Sequence, residues 1–312
     1  MVDKRPIGNS GIDVAPLALG GNVFDFTADE AASFAVLDAF VGASGNMVDT
    51  ADVYSAWAPG HVGGESERLM GRWFKRSGRR DEVVIATKVG MMDGGLRPEV
   101  VAAACDGSLQ RLGVDHVDVY YAHQDDEKVP LADTLGAFDR LVTAGKVRTI
   151  GLSNFSARRL TEAVDTARSN GLAIPSVLQP WYNIVERQRF EGELRDAATA
   201  AAMAVCPYYS LANGFLTGKY RSRDDLGKSV RGLRNIDYLE AMGMRVLGAL
   251  DEVAAETGAA LATVTLAWTM AQPAITAPIA SATSVPQLEE LVAALQLELT
   301  VEQGERLNSA SA

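Results

Sequence analysis

Short apolar runs alternate with segments of helical period along this chain, and that alternation predicts a parallel sheet covered by helices. Ala15 to Leu19, Met47 to Asp49, Val83 to Lys88, Val117 to Ala122, Thr149 to Ser153, Ser176 to Gln179, Ala204 to Cys206 and Ile275 to Ile279 read as strands. Helices are expected near 29–41, 65–75, 98–112, 157–170, 187–202, 240–257, 262–271 and 285–296. Leu131, Leu135, Phe138 and Leu141 mark another inward face. The clearest period follows Pro98: Val101, Ala104, Cys105, Ser108, Leu109 and Leu112 fall at steps of three and four, and Pro98 suits a first helical turn. Ahead of the first strand, Gly8-Asn9-Ser10-Gly11 predicts a hairpin turn. Eight strand-and-helix units with no Ser/Pro-rich linker between them predict an α/β fold. The expected architecture is one (β/α)8 TIM barrel over 1–312 with an N-terminal β-hairpin and extra helices.

Three of the strands finish on ionisable residues. Asp49 ends one, with Tyr54 five residues on; Lys88 ends the next, and His123 follows the one after. In a closed barrel the C-terminal strand ends meet at one face, where conserved chemistry gathers around a single pocket. If these four share that pocket, the Lys88 ammonium favours the phenolate of Tyr54 and lowers its pKa, Asp49 holds Lys88, and His123 orients a substrate oxygen. Such a set suits giving a proton to an oxygen that becomes negative.

Composition narrows the partners. With 47% hydrophobic residues and 29 glycines the chain can bury a large core, and a net charge of −11 argues against general binding to nucleic acid or anionic membranes. Cys105 and Cys206 form no CxxC pair, so neither a disulfide framework nor a metal site is expected. Met1 to Gly11 lacks a signal-peptide core and no stretch reaches eighteen apolar residues, which leads to the expectation of a cytoplasmic protein without membrane contact, as monomer or homo-oligomer. Against this acidic background Lys219, Arg221, Arg223, Lys228, Arg231 and Arg234 stand out. They read either as a loop closing over phosphates or as a solvated surface. Phe24 and Trp57 are candidates for an apolar substrate wall, and Gly63 to Glu67 lacks the ending of a P-loop.

The chain resembles an aldo-keto reductase. Asp49, Tyr54, Lys88 and His123 match that family's tetrad in order and spacing. The likeness continues through Gly151-Leu152-Ser153-Asn154-Phe155, Gln179-Pro180-Trp181-Tyr182-Asn183, Tyr208 to Tyr220 and Ile279 to Glu290. The resemblance implies NAD(P)H-dependent reduction of an aldehyde or ketone, with Tyr54 as proton donor and a small-molecule carbonyl as substrate. Ser153, Asn154 and Gln179 would hold the nicotinamide carboxamide, Tyr208 would stack on the ring, and the backbone from Leu211 through Gly214 to Leu216 would meet the pyrophosphate. Further cofactor contacts are implied at Gly21, Lys219, Ile279, Ser281, Thr283, Gln287 and Glu290. NADPH is the implied cofactor, with NADH the alternative, since Ile279 to Ser284 holds no basic residue and Leu291 stands where an asparagine often contacts adenine. Ser210 replaces a proline often found after the stacking tyrosine. Two other readings are a nucleotide-sensing regulatory subunit of the same fold and a phosphate-binding barrel isomerase or lyase.

Overall fold

A computed structural model describes residues 2–312. The chain opens with β1 (Arg5–Pro6) and β2 (Asp13–Val14), an antiparallel hairpin in register Arg5 to Val14, as the Gly8 to Gly11 turn predicts. The barrel strands and their helices follow: β3 (Ala18–Gly20), α1 (Glu30–Gly42), β4 (Met47–Asp49), α2 (Glu65–Ser77), β5 (Val84–Val89), α3 (Pro98–Leu112), β6 (Val117–Ala122) and α4 (Leu131–Thr143). The second half holds β7 (Val147–Ser153), α5 (Ala157–Ser169), β8 (Val177–Gln179), α6 (Glu193–Ala200), β9 (Ala204–Val205), α7 (Ala241–Thr257), α8 (Leu261–Ala271), β10 (Ile279–Ala280), α9 (Val285–Ala293) and α10 (Val301–Ala310).

All neighbouring barrel strands run parallel, in the order β10-β3-β4-β5-β6-β7-β8-β9. The remaining seam between β9 and β10 is joined by a bridge from Val205 to Ile275 and by bonds from Thr276 N to Val205 O and Ile279 N to Pro207 O, each 2.8 Å. The ring of strands is thereby a (β/α)8 barrel.

Two apolar layers result from strand alternation. Val48, Ile85, Tyr120 and Leu152 face outward to the helices, whereas Met47, Val84, Val119, Tyr121, Val177 and Cys206 fill the interior. Ile7, Ile12 and Val14 join the interior set, so the hairpin closes the barrel end opposite the C-terminal strand ends. Gly8 is essential to that seat: it has φ +50°, and a Cβ there would lie 2.4 Å from Ser176 O.

Two expectations are corrected. The helix foreseen over 187–202 is a short 3-10 turn, Arg187–Arg189, then α6, because Gly192 at φ +96° breaks the path and Glu191 is turned back to clasp Arg187 at 2.8 Å. The strand foreseen over Ile275 to Ile279 keeps a ladder only at Ile279–Ala280, its earlier part being tied to Val205 instead.

Candidate active site

The ends of β4, β5 and β6 bring Asp49, Lys88 and His123 to one face, and the turn after β4 carries Tyr54 back over them. Lys88 is fully buried, and its Nζ donates to Asp49 Oδ2 at 2.6 Å, Thr50 O at 2.7 Å and Tyr54 Oη at 3.0 Å. The Tyr54 hydroxyl donates to Asp49 Oδ2 at 3.2 Å, and Gln179 Nε2 donates to Asp49 Oδ1 at 2.8 Å. The His123 ring lies 6.0 Å from that of Tyr54, centroid to centroid. The four residues that the sequence singles out are thus within reach of one another.

Their protonation states follow from burial. Burial pulls the Lys88 ammonium down from the usual lysine range, and Asp49 opposes this most strongly. Burial, then Lys88, holds His123 well below the usual histidine range, so its imidazole is neutral at pH 7. His123 Nδ1 is buried with no hydrogen-bond partner. The expectation for Tyr54 is corrected. Its phenol is pushed well above its ordinary value, by burial first and by Asp49 next. Lys88 is close enough to favour the phenolate, but the Asp49 carboxylate lies beside both groups and the phenol keeps its proton.

Around these residues lies a second set. Ser153 Oγ donates to Gln179 O at 3.0 Å, Asn154 Nδ2 to His123 O at 2.8 Å, and the Tyr208 hydroxyl to Asn154 Oδ1 at 2.6 Å. Asn154 sits at φ +58°, a conformation asparagine tolerates, which turns its amide back over the strand end. Tyr208 packs with Trp181 at 5.9 Å and Tyr209 at 5.0 Å between centroids. These residues are joined to the first four through the Gln179 bond to Asp49 and the Asn154 bond to the His123 carbonyl.

Beyond Tyr208 the chain passes through left-handed conformations at Tyr209, Ala212, Asn213 and Gly214. The side chain of Leu216 is buried and that of Leu211 lies against the core, which leaves backbone as their polar offering. A Cβ at Gly214 would lie 2.9 Å from Lys219 Nζ, so the ammonium sits directly on that turn. On the adjoining strand ends a Cβ at Gly21 would lie 2.9 Å from Ser66 Oγ and 3.1 Å from Asp49 O. Ser281 Oγ donates to Asn22 Oδ1 at 2.8 Å, and Ile279 is buried in β10. Gln287 caps the start of α9, accepting from Thr283 N and Oγ1 at 3.0 Å each, with Glu290 on the exposed side of that helix. Leu291 is buried in the core.

Trp57 stands 47% exposed, with its ring 5.9 Å from Tyr54 and 6.0 Å from Phe26. Phe24 is fully buried and presents no surface to a ligand. In the basic stretch Arg221 pairs with Asp251 at 2.6 Å and Lys228 with Asp225 at 2.7 Å. Arg231 reaches back to Asn22 O at 3.4 Å. Sequence reading assigned no role to Asn22, Phe26 or Tyr209. The first follows the Gly20-Gly21 strand end, which is the signal that could have marked it.

A profile of the Aldo/keto reductase family matches residues 16–312. A probable voltage-gated potassium channel subunit beta from Oryza sativa subsp. japonica is 32% identical over 305 residues, spanning 94% of this chain and 91% of its own. Aldo-keto reductase str7 from Strobilurus tenacellus is 34% identical over 253 residues, with 79% of this chain and 74% of its own covered. Aldo-keto reductase yakc [NADP(+)] from Schizosaccharomyces pombe is 29% identical over 311 residues, with 96% and 88% covered.

Proposed function

The chain belongs to the aldo/keto reductase family, and from there we propose that it acts as one barrel reducing an aldehyde or ketone to the alcohol with NADPH. The observation that carries this reading is the fully buried Lys88 ammonium, held between the Asp49 carboxylate and the Tyr54 hydroxyl. When bound, the nicotinamide supplies the hydride. Tyr54, protonated at rest, gives its proton to the carbonyl oxygen as that oxygen gains charge, because an alkoxide is far more basic than a phenolate. Lys88, 3.0 Å from the phenol oxygen, stabilises the phenolate left behind, and Asp49 keeps Lys88 charged. Neutral His123 donates from Nε2 to the same substrate oxygen and steers it toward Tyr54.

Several features fit a dinucleotide. Tyr208 offers a ring beside the amides of Asn154 and Gln179, and the left-handed run at Tyr209 to Gly214 brings the backbone next to Lys219. The relative labelled NADP(+) supports the phosphorylated cofactor. Lys219, on the Gly214 turn, is the member of the basic stretch best placed to meet its phosphates, with Arg231 drawn in over Asn22.

The substrate is a bulky apolar carbonyl. Trp57, Val62, Met91 and Met92 stand exposed on the loops after β4 and β5, and Val230, Leu233 and Ile236 on the segment after β9. Among the described residues, only Ile174 and Val301 of the large exposed hydrophobics lie elsewhere. Apolar surface so concentrated marks a place of binding.

The potassium-channel subunit relative favours a second reading, a regulatory subunit that binds the nucleotide without rapid turnover. Parallel fluorescence titrations with NADPH and NADH, followed by turnover of an aromatic ketone, separate the readings. Tyr54→Phe should cut kcat about 100-fold or more while leaving cofactor affinity within a factor of two. Binding of neither nucleotide would overturn both readings, and binding without any turnover would leave the regulatory one.

A further inference from the structure

The outer face of β5 carries a second buried ionic cluster, on the side of the strand away from the barrel interior. Side chains alternate along a strand, so Lys88 enters the barrel while Thr87 points out at α2 and α3. Thr87 Oγ1 donates to Glu67 Oε1 and Arg111 Nε to Glu67 Oε2, each at 2.6 Å, and Glu67 is fully buried. Asp52, three residues beyond Asp49, is buried beside them. Its backbone N–H donates to Lys88 O at 3.3 Å, and its Oδ1 is buried with no hydrogen-bond partner. The Tyr120 hydroxyl, directed outward from β6, is buried and unpartnered too.

Of these two buried carboxyl groups, Glu67 alone is bonded to the Arg111 guanidinium. Asp52 is faced by Glu67 from α2, Arg111 from α3, Lys88 from β5 and Tyr120 from β6. Burial and Glu67 push its carboxyl up to about 7, against the pull of Arg111, the Val53 N–H and Lys88. From inside the barrel Lys88 is faced by Asp49, Tyr54, Tyr121 and His123. After Asp49, the groups that favour its ammonium are Asp52 and Glu67. Of these two, only Asp52 lacks a strong cation bonded to its carboxyl group.

We propose that Asp52 is a positioning residue that acts through Lys88: its carboxylate, held outside the barrel, sustains the ammonium charge that Tyr54 faces from within. Asp49 supplies the contact that fixes where the ammonium sits, and Asp52 supplies field from behind. The kinetic consequence rests on the reductase reading, whereas the electrostatic coupling does not.

The test is Asp52→Asn in the full chain, with Lys88 titrated by NMR on 13C-labelled lysine and carbonyl reduction measured across pH. Lys88 should lose its proton about one pH unit lower in the variant, as expected for removal of a nearby opposite charge. The alkaline limb of kcat should move by the same amount, with KM for the dinucleotide unchanged, and the inflection near neutrality due to Asp52 itself should vanish. An unmoved Lys88 titration overturns the proposal, including the case where turnover falls equally at every pH. A moved titration in a protein that reduces no carbonyl sustains the coupling and defeats the reductase reading instead. Should Asp52→Asn not fold, the smaller Asp52→Ser carries the same expectation, and Asp52→Glu should titrate like the wild type.

Discussion

Replacing Asp49 by Asn removes the one charged group in contact with a lysine that has no access to water. The side chain keeps its shape, and its Oδ1 can still accept from Gln179 Nε2, so the loss falls on Lys88 Nζ, left with the neutral Thr50 O and Tyr54 Oη. Breaking a buried pair in this way costs about 3–5 kcal/mol. The alternative is for Lys88 to fold without its proton. That costs ~1.4 kcal/mol for each pH unit below the ordinary lysine value, which near neutrality is similar in size. With an unfolding entropy of about 2.1 cal/mol/K per residue over 312 residues, a loss of that size lowers Tm by ~5–8 °C. The sign of the pH dependence is the sharper check. In the unfolded chain Lys88 keeps its proton up to the ordinary lysine value of 10.5, while in the folded variant it loses it earlier, so the unfolded state binds more protons. Stability of Asp49→Asn relative to wild type should then rise as pH climbs toward 10.5. The wild type shares the sign over a narrower window, since Asp49 opposes the downward pull of burial. Thermal unfolding by circular dichroism between pH 6 and 10 measures both quantities. A Tm within 1 °C of wild type, or a gap that does not change with pH, would refute the reasoning.

Two further expectations follow from packing. Gly151→Ala places a Cβ 2.2 Å from the ring of the fully buried Tyr121, so overpacking should destabilise the barrel by about 1–3 kcal/mol, read as a lower urea midpoint; an unchanged midpoint would show that Tyr121 has room to move. Glu186 accepts from Trp181 Nε1 at 2.5 Å, Tyr238 Oη at 2.6 Å and Arg189 Nε at 2.9 Å, fastening the end of the segment before α7. Glu186→Gln should speed proteolytic cleavage within 219–240, and equal cleavage rates would count against that anchoring role.

The features legible in the sequence are those with a local signature. The helix after Pro98 was bounded correctly because its stripe, its proline and the Gly113 that ends it at φ +67° all lie within the segment. The strand ends carrying Asp49, Lys88 and His123 are legible because three successive apolar runs each close on an ionisable residue, in the order and spacing of the family's tetrad. α10 was missed, although Thr300 and Gln303 form the reciprocal cap that announces a helix start. The burial of Phe24 and Glu67 was illegible for another reason. An aromatic near a strand end and an acid in a polar helix start both look exposed until the neighbouring elements are in place. The same holds for the direction of the Tyr54 shift, which burial sets first and the neighbouring Asp49 carboxylate next.

The hairpin of β1 and β2, with Ile7, Ile12 and Val14 seated in the barrel, turns the interior into a cul-de-sac. Whatever reaches Lys88 must arrive and depart by the same doorway. A short turn at the far end of the molecule from the chemistry thus leaves the strand-end face as the one side on which the site opens.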